Sequence, residues 1–187
     1  MVWEGRRREA PPYPDHLNDL HAMSFGELDG SRSRRIETVA SALLGAGFAA
    51  RLSDEILQEM WEKWVFIAAA AGITCLMRAT IGDIVAAGAS DLAATLLNEC
   101  AAVAAAQGFP PREAALERAR ATLTAPGSPL MASMLRDIEG GLPAEGDHIL
   151  GDLLRRASKP DDASLLRLAS LNVSAYEVRR TRSGAGK

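Results

Sequence analysis

After Lys63 the chain runs through fourteen residues without a charge, WVFIAAAAGITCLM, and nearly all of them suit a protein core. A stretch so apolar and rich in alanine predicts a helix that other helices must cover. It is too short to span a bilayer, which takes about 20 apolar residues. The lysine at its mouth has two readings. At about 100° per residue, Lys63 falls beside Ile56, Met60 and Ile67, where an acid would stand away from water. It also stands one turn after Glu59, as half of a solvated Glu-to-Lys pair worth roughly 0.2–0.5 kcal/mol.

The punctuation beyond Ser53 is helical. Ser53 with Asp54 and Glu55 opens the helix that carries Lys63, the serine oxygen serving free N–H groups and the acids favouring the positive end. Ser90 and Asp91 open SDLAATLLNECAAVAAAQ, which Gly108 closes, and Pro110 and Pro111 restart the chain as PREAALERARATL. After the loop TAPGSP come LMASMLRDIE, a Gly-Gly break, EGDHILGDLLRRA, the polar link SKPDD and a last helix from about Ala163 to Arg180. Before Ser53 the pattern differs. Residues 17–29, LNDLHAMSFGELD, alternate in short runs consistent with one or two strands, too few to make a sheet. A serine pair then opens a helix with Ile36, Val39, Ala40, Leu43 and Leu44 on one face; GAG at 45–47 stops it, and FAARL reads as one more strand. The expected fold is mainly α, a helical bundle with a small β appendage at the N-terminus.

Several functions are disfavoured by what surrounds this frame. Net charge is −3 with 24% charged residues, and neither the RRR run nor the RRTRSGAGK tail has interleaved aromatics, so no nucleic-acid partner is expected. His16, His21 and His148 are scattered without metal-ligand spacing, so no metal is expected. The GAG follows a helix and lacks a third glycine, which makes it a C-cap and not a phosphate loop. Cys75 and Cys100 lie in apolar stretches without CxxC spacing, as buried free thiols of a reducing compartment; cytoplasm is the expected location. The start has arginines but no apolar segment behind them, so neither a secretory signal nor a membrane anchor is expected.

Two longer segments carry a resemblance. FGELDGSRSRRIETVASALLGAGFAARLSDEILQEMWEKW and SMLRDIEGGLPAEGDHILGDLLRRA, with Trp-x-Lys at Trp61 to Lys63 and Ser-Met-x-x-Asp at Ser133 to Asp137 followed by Glu145 and Asp147, resemble the ketopantoate reductase (2-dehydropantoate 2-reductase) family. The likeness runs from about His16 to Arg180. It implies an irregular leader at 1–15, the end of a Rossmann-like domain at 16–52, and at 53–180 a helical second domain like the C-terminal domain of 6-phosphogluconate dehydrogenase. Residues 181–187 are left as a flexible tail. It also implies NADPH and a 2-keto acid held between the two domains.

Residue by residue, the resemblance gives Lys63 the role of proton donor, since hydride delivery to a ketone leaves charge on oxygen that a nearby cationic acid must meet. The apolar run would desolvate that lysine and make it a better acid. Ser133 matches a substrate-binding hydroxyl, and Glu145 a residue that reaches the cofactor. Bland counterparts stand beside these: Ser133 as an in-helix hydroxyl bonded to the previous turn, Glu145 as a helix N-terminal acid. The family's asparagines are replaced by Ile67, Ala71 and Ile81, the last followed by Gly82-Asp83. A buried polar substrate group left without partners costs about 1–3 kcal/mol, so ketopantoate itself is disfavoured. No strand–GxGxxG–helix unit occurs in the sequence. Two functional expectations follow: an enzyme half that needs a Rossmann-domain partner chain, or a truncated, non-catalytic helical module for interaction or dimerisation. The small residues of AATLLNECAAVAAA allow a homodimer in either case.

Overall fold

The computed structural model describes residues 22–158 and 164–184. The expected leader, His16, His21, the first residues of the 17–29 strand reading, residues 159–162 of the polar link, Ala163 at the expected start of the last helix and the end of the tail lie outside them. The chain divides into two units, one up to Ile56 and one from Leu57 onward.

In the first unit, β1 (Ala22–Phe25) pairs in parallel with β2 (Ala49–Leu52), Ala22 opposite Ala49 and Phe25 opposite Leu52. The sequence reading allowed too few strands for a sheet; a parallel pair forms nonetheless. Parallel strands need a long crossover, and α1 (Arg34–Leu43) supplies it. Ser33 caps α1, its hydroxyl accepting from the Ile36 amide at 3.2 Å. The chain leaves α1 through Gly45 at φ +82°, the left-handed conformation in which a glycine ends a helix without strain. Of the apolar face expected on α1, only Ile36 is buried.

In the second unit, α2 (Ile56–Met77) is the central helix. Its uncharged run buries Val65, Ala68 to Ala71, Ile73 and Cys75. Facing it, α4 (Ser90–Ala106) buries Ala93, Leu96, Leu97, Cys100, Val103 and Ala104, and α8 (Ser164–Gly184) buries Leu166, Ala169 and Val173. Each fully buried leucine or isoleucine here contributes on the order of 1.5–3 kcal/mol of transfer free energy. By length and composition α2 could cross a membrane, but half of its most apolar window, of mean hydropathy 1.3, is buried inside the protein. The Thr74 hydroxyl inside this core donates to the Ala70 carbonyl at 2.7 Å. Cys75 and Cys100 are buried free thiols. Burial pushes Cys75 up to about 12 and Cys100 further up.

The remaining elements are α3 (Ile81–Ala86), α5 (Glu113–Leu123), α6 (Ser133–Glu139), a π turn (Asp147–Gly151) and α7 (Asp152–Arg155). The last helix continues to Gly184, beyond the Arg180 end read from sequence.

Candidate functional site

The turn of α2 that bears Lys63 is held on both sides. Trp61 stacks on Phe109 with ring centres 5.5 Å apart and lies 5.1 Å from Trp64. The Trp64 indole N–H donates to the Ile149 carbonyl at 3.0 Å, and the Arg156 guanidinium sits 5.5 Å from the Trp64 ring centre. Between the tryptophans, Glu62 accepts from Arg112 Nε and Nη2, both at 2.7 Å, from the Arg112 amide at 3.0 Å and from Gln58 at 3.1 Å. Lys63 is left exposed. The apolar run was expected to desolvate it, but most of that run, Val65, Ala68 to Ala71, Ile73 and Cys75, turns into the core, and Lys63 stays exposed. Of the three hydrocarbon replacements, Ala71 and Ile81 are core residues, and only Ile67 is partly exposed.

The paired arginine holds Glu62 down to about 2, and the carboxylate side chain is 10% exposed. A depressed carboxylate contributes stability that is complete above its unfolded value near 4.5 and is lost as pH falls towards about 2. Glu62→Gln is expected to cost on the order of 2 kcal/mol at pH 7. Acid unfolding curves should show the difference from the parent shrinking between about pH 5 and pH 2. A loss that stays constant through that window would show that the carboxylate charge is not what stabilises this joint.

Ser133 is the first residue of α6 and is exposed. No preceding helical turn exists for its hydroxyl to bond, which removes the in-helix reading. The segment leading to it is docked on α3: the Ile81 amide donates to Leu130 O and the Gly82 amide to Ser128 O, each at 2.8 Å. Gly82 permits this approach, since a Cβ there would lie 2.6 Å from the Ser128 nitrogen. The Ile81 and Gly82 amides therefore fix the backbone leading to Ser133.

Glu145 lies in the segment before the π turn and is exposed, while its neighbours are pinned to α8. The Tyr176 hydroxyl donates to Leu142 O at 2.7 Å, and the Ala144 amide donates to the Glu177 carboxylate at 2.6 Å. Arg180 braces Glu177 and holds its carboxyl below the usual range. Gly146 packs against Val173 with no room for a side chain. The Glu145 carbonyl accepts from the Ile149 amide at 3.1 Å. The structure thus joins the Lys63 turn to the Glu145 segment through Trp64 and Ile149, while Ser133 is held separately, by α3. Sequence reasoning missed Trp64, Gly146 and Glu177. The one signal for them was the second tryptophan, three residues after the first.

The family model described as ketopantoate reductase PanE/ApbA C terminal matches residues 55–161. An uncharacterised oxidoreductase of Bacillus subtilis, YkpB, is 35% identical over 167 residues, covering 88% of this chain and 55% of that protein. The 2-dehydropantoate 2-reductase of Mesorhizobium japonicum is 31% identical over 182 residues, 92% of this chain and 54% of that protein. The crystal structure of 2-dehydropantoate 2-reductase from Methylococcus capsulatus superposes with a TM-score of 0.71 at 28% identity, over 84% of this chain and 51% of that one. The chain spans about half the length of the curated relatives it matches. Fold and relatives together place the chain with the helical C-terminal part of the ketopantoate reductases. The chain belongs to the ketopantoate reductase family.

Proposed function

We propose that this chain is the substrate-binding and proton-donating domain of an NADPH-dependent 2-keto acid reductase and works with a Rossmann domain. In this reading residues 16–52 are the end of the Rossmann-like domain and 53–180 the helical domain. The observation that carries it is the placement of Lys63: an exposed ammonium on a turn of α2 whose neighbours Trp61, Glu62 and Trp64 are all tied down. A cation held on a rigid element can meet an oxyanion without reorganisation. Lys63 donates its proton to the ketone oxygen, the Ser133 hydroxyl donates to the substrate carboxylate, and Glu145 accepts from hydroxyl or amide groups of the cofactor.

The described residues fit only that part of NADPH. Phosphates need free N–H groups or cations, yet in the hollow lined by Glu27, Asp29, Ser31, Ser33 and Arg35 the arginine is paired with Glu27, and the Ser33 hydroxyl bonds Glu27 while capping α1. In this reading the phosphate cradle comes from the Rossmann domain. When bound, the cofactor supplies a hydride; this chain supplies the proton and the grip on the acid.

The test is NADPH oxidation by the chain alone and by the chain supplied with the Rossmann domain of a relative. No turnover is expected from the chain alone. With the partner domain, saturable turnover is expected, faster with an apolar 2-keto acid than with ketopantoate because Ile67 offers the substrate hydroxyl no partner. Turnover by the chain alone would overturn the reading. Absence of turnover with the partner domain would instead favour a non-catalytic interaction module, a reading supported by Leu168, Leu171 and Val178, all exposed along α8.

A further inference from the structure

We propose that Trp64 is a positioning residue that sets the Lys63 turn against Glu145, an inference that rests on the roles proposed above for those two residues. An indole has one polar group, a single N–H donor. Trp64 spends it on the Ile149 carbonyl, 85 residues away in sequence. Ile149 lies in the π turn, where the Asp152 amide reaches back five residues to Asp147 O. Such a turn shifts carbonyls away from their usual α-helical partners and recurs where a helix has been modified for function. The same residue, Ile149, donates its amide to the Glu145 carbonyl at 3.1 Å. Two directional bonds therefore connect the residue after Lys63 with the backbone of Glu145.

Apolar packing alone would not give this register. Hydrophobic contacts are non-directional and tolerate sliding, whereas an N–H···O bond weakens steeply away from linearity. Trp61 and Arg156, each within 5.5 Å of the Trp64 ring, limit its rotation. Because Lys63 and Trp64 share a peptide bond, any tilt of α2 that breaks the indole bond moves the Lys63 backbone as well. Leucine or phenylalanine at position 64 would fill the space and lose the bond.

The geometry can be read without turnover. In the full chain, Lys63→Cys and Glu145→Cys are labelled with nitroxides; Cys75 and Cys100 are buried with thiols held far from ionisation, so they stay unlabelled. Dipolar electron paramagnetic resonance then gives the 63–145 distance distribution. Trp64→Phe is expected to at least double its width, with helicity unchanged. Trp61→Phe, which keeps the Trp64 bond, is expected to leave it narrow. An unchanged distribution in Trp64→Phe, or equal broadening in Trp61→Phe, overturns the proposal. Should Trp64→Phe fail to fold, the unsubstituted chain still decides. Its Trp64 indole proton should exchange at least tenfold more slowly than free indole, and exchange at the free rate overturns the proposal. Since neither readout involves catalysis, this inference can fail while Lys63 remains the acid, and the acid assignment can fail while the register stands.

Discussion

Lys63→Ala is expected to lower turnover by roughly 10²–10⁴-fold in the chain supplied with a Rossmann domain, the range that a positioned general acid contributes. The loss should fall on kcat, because the proton is needed where charge develops on the ketone oxygen and little of that charge exists in the bound substrate. Stability should hardly change. Lys63 is exposed, and surface substitutions away from caps and buried networks usually stay within about 0.5 kcal/mol. That separation makes the experiment clean: equal melting temperatures with a collapsed kcat identify chemistry, while a kcat within threefold of the parent returns Lys63 to the solvated surface of α2. Lys63→Arg keeps the charge but not the acidity, since a guanidinium stays protonated up to about pH 12, so it should recover binding without recovering kcat.

What the sequence made legible was whatever acts within a few residues. The uncharged run located α2, and Ser53 does serve a free amide, accepting from Glu55 at 3.1 Å, although the helix itself begins at Ile56. The stop at GAG depends equally on local geometry, and α4 does begin at Ser90, although no side chain caps it. The strand pair was harder: four-residue strands carry little pattern, and their pairing depends on α1 lying between them. Of the site, residue types and motif spacing were visible, but their surroundings were not. The run after Lys63 announced a core helix, but nothing near Lys63 in sequence decided between its two readings or said that the ammonium is left in water. Nothing near Glu145 announces that Tyr176, Glu177 and Val173 pin the residues around it. Both facts depend on partners distant in sequence, the bonds at Ala144 and Leu142 spanning 33 and 34 residues, which periodicity cannot name.

Gly146→Ala should destabilise the protein by about 2–3 kcal/mol. The backbone does not oppose it. Gly146 has φ −59° and ψ −38°, helical values at which alanine is normally better than glycine by roughly 0.5–1 kcal/mol. The obstacle is Val173 of α8: a Cβ at position 146 would lie 2.4 Å from its Cγ1 and 2.9 Å from its Cβ. Val173 is itself buried and cannot swing aside, so the segment must lift from α8 and strain the Ala144–Glu177 and Leu142–Tyr176 bonds. A melting temperature roughly 4–10 °C lower is expected for a chain of this size. Val173→Ala alone should also destabilise, through the cavity it leaves. Combined, the two should cost at least about 1 kcal/mol less than their sum, because alanine at 173 removes the nearer of the two clashes. In the supplied enzyme, lifting the segment moves Glu145, so Gly146→Ala should raise KM for NADPH more than KM for the keto acid. Additive stabilities would mean that the segment relaxes without touching Val173, and unchanged KM values would detach Glu145 from the cofactor.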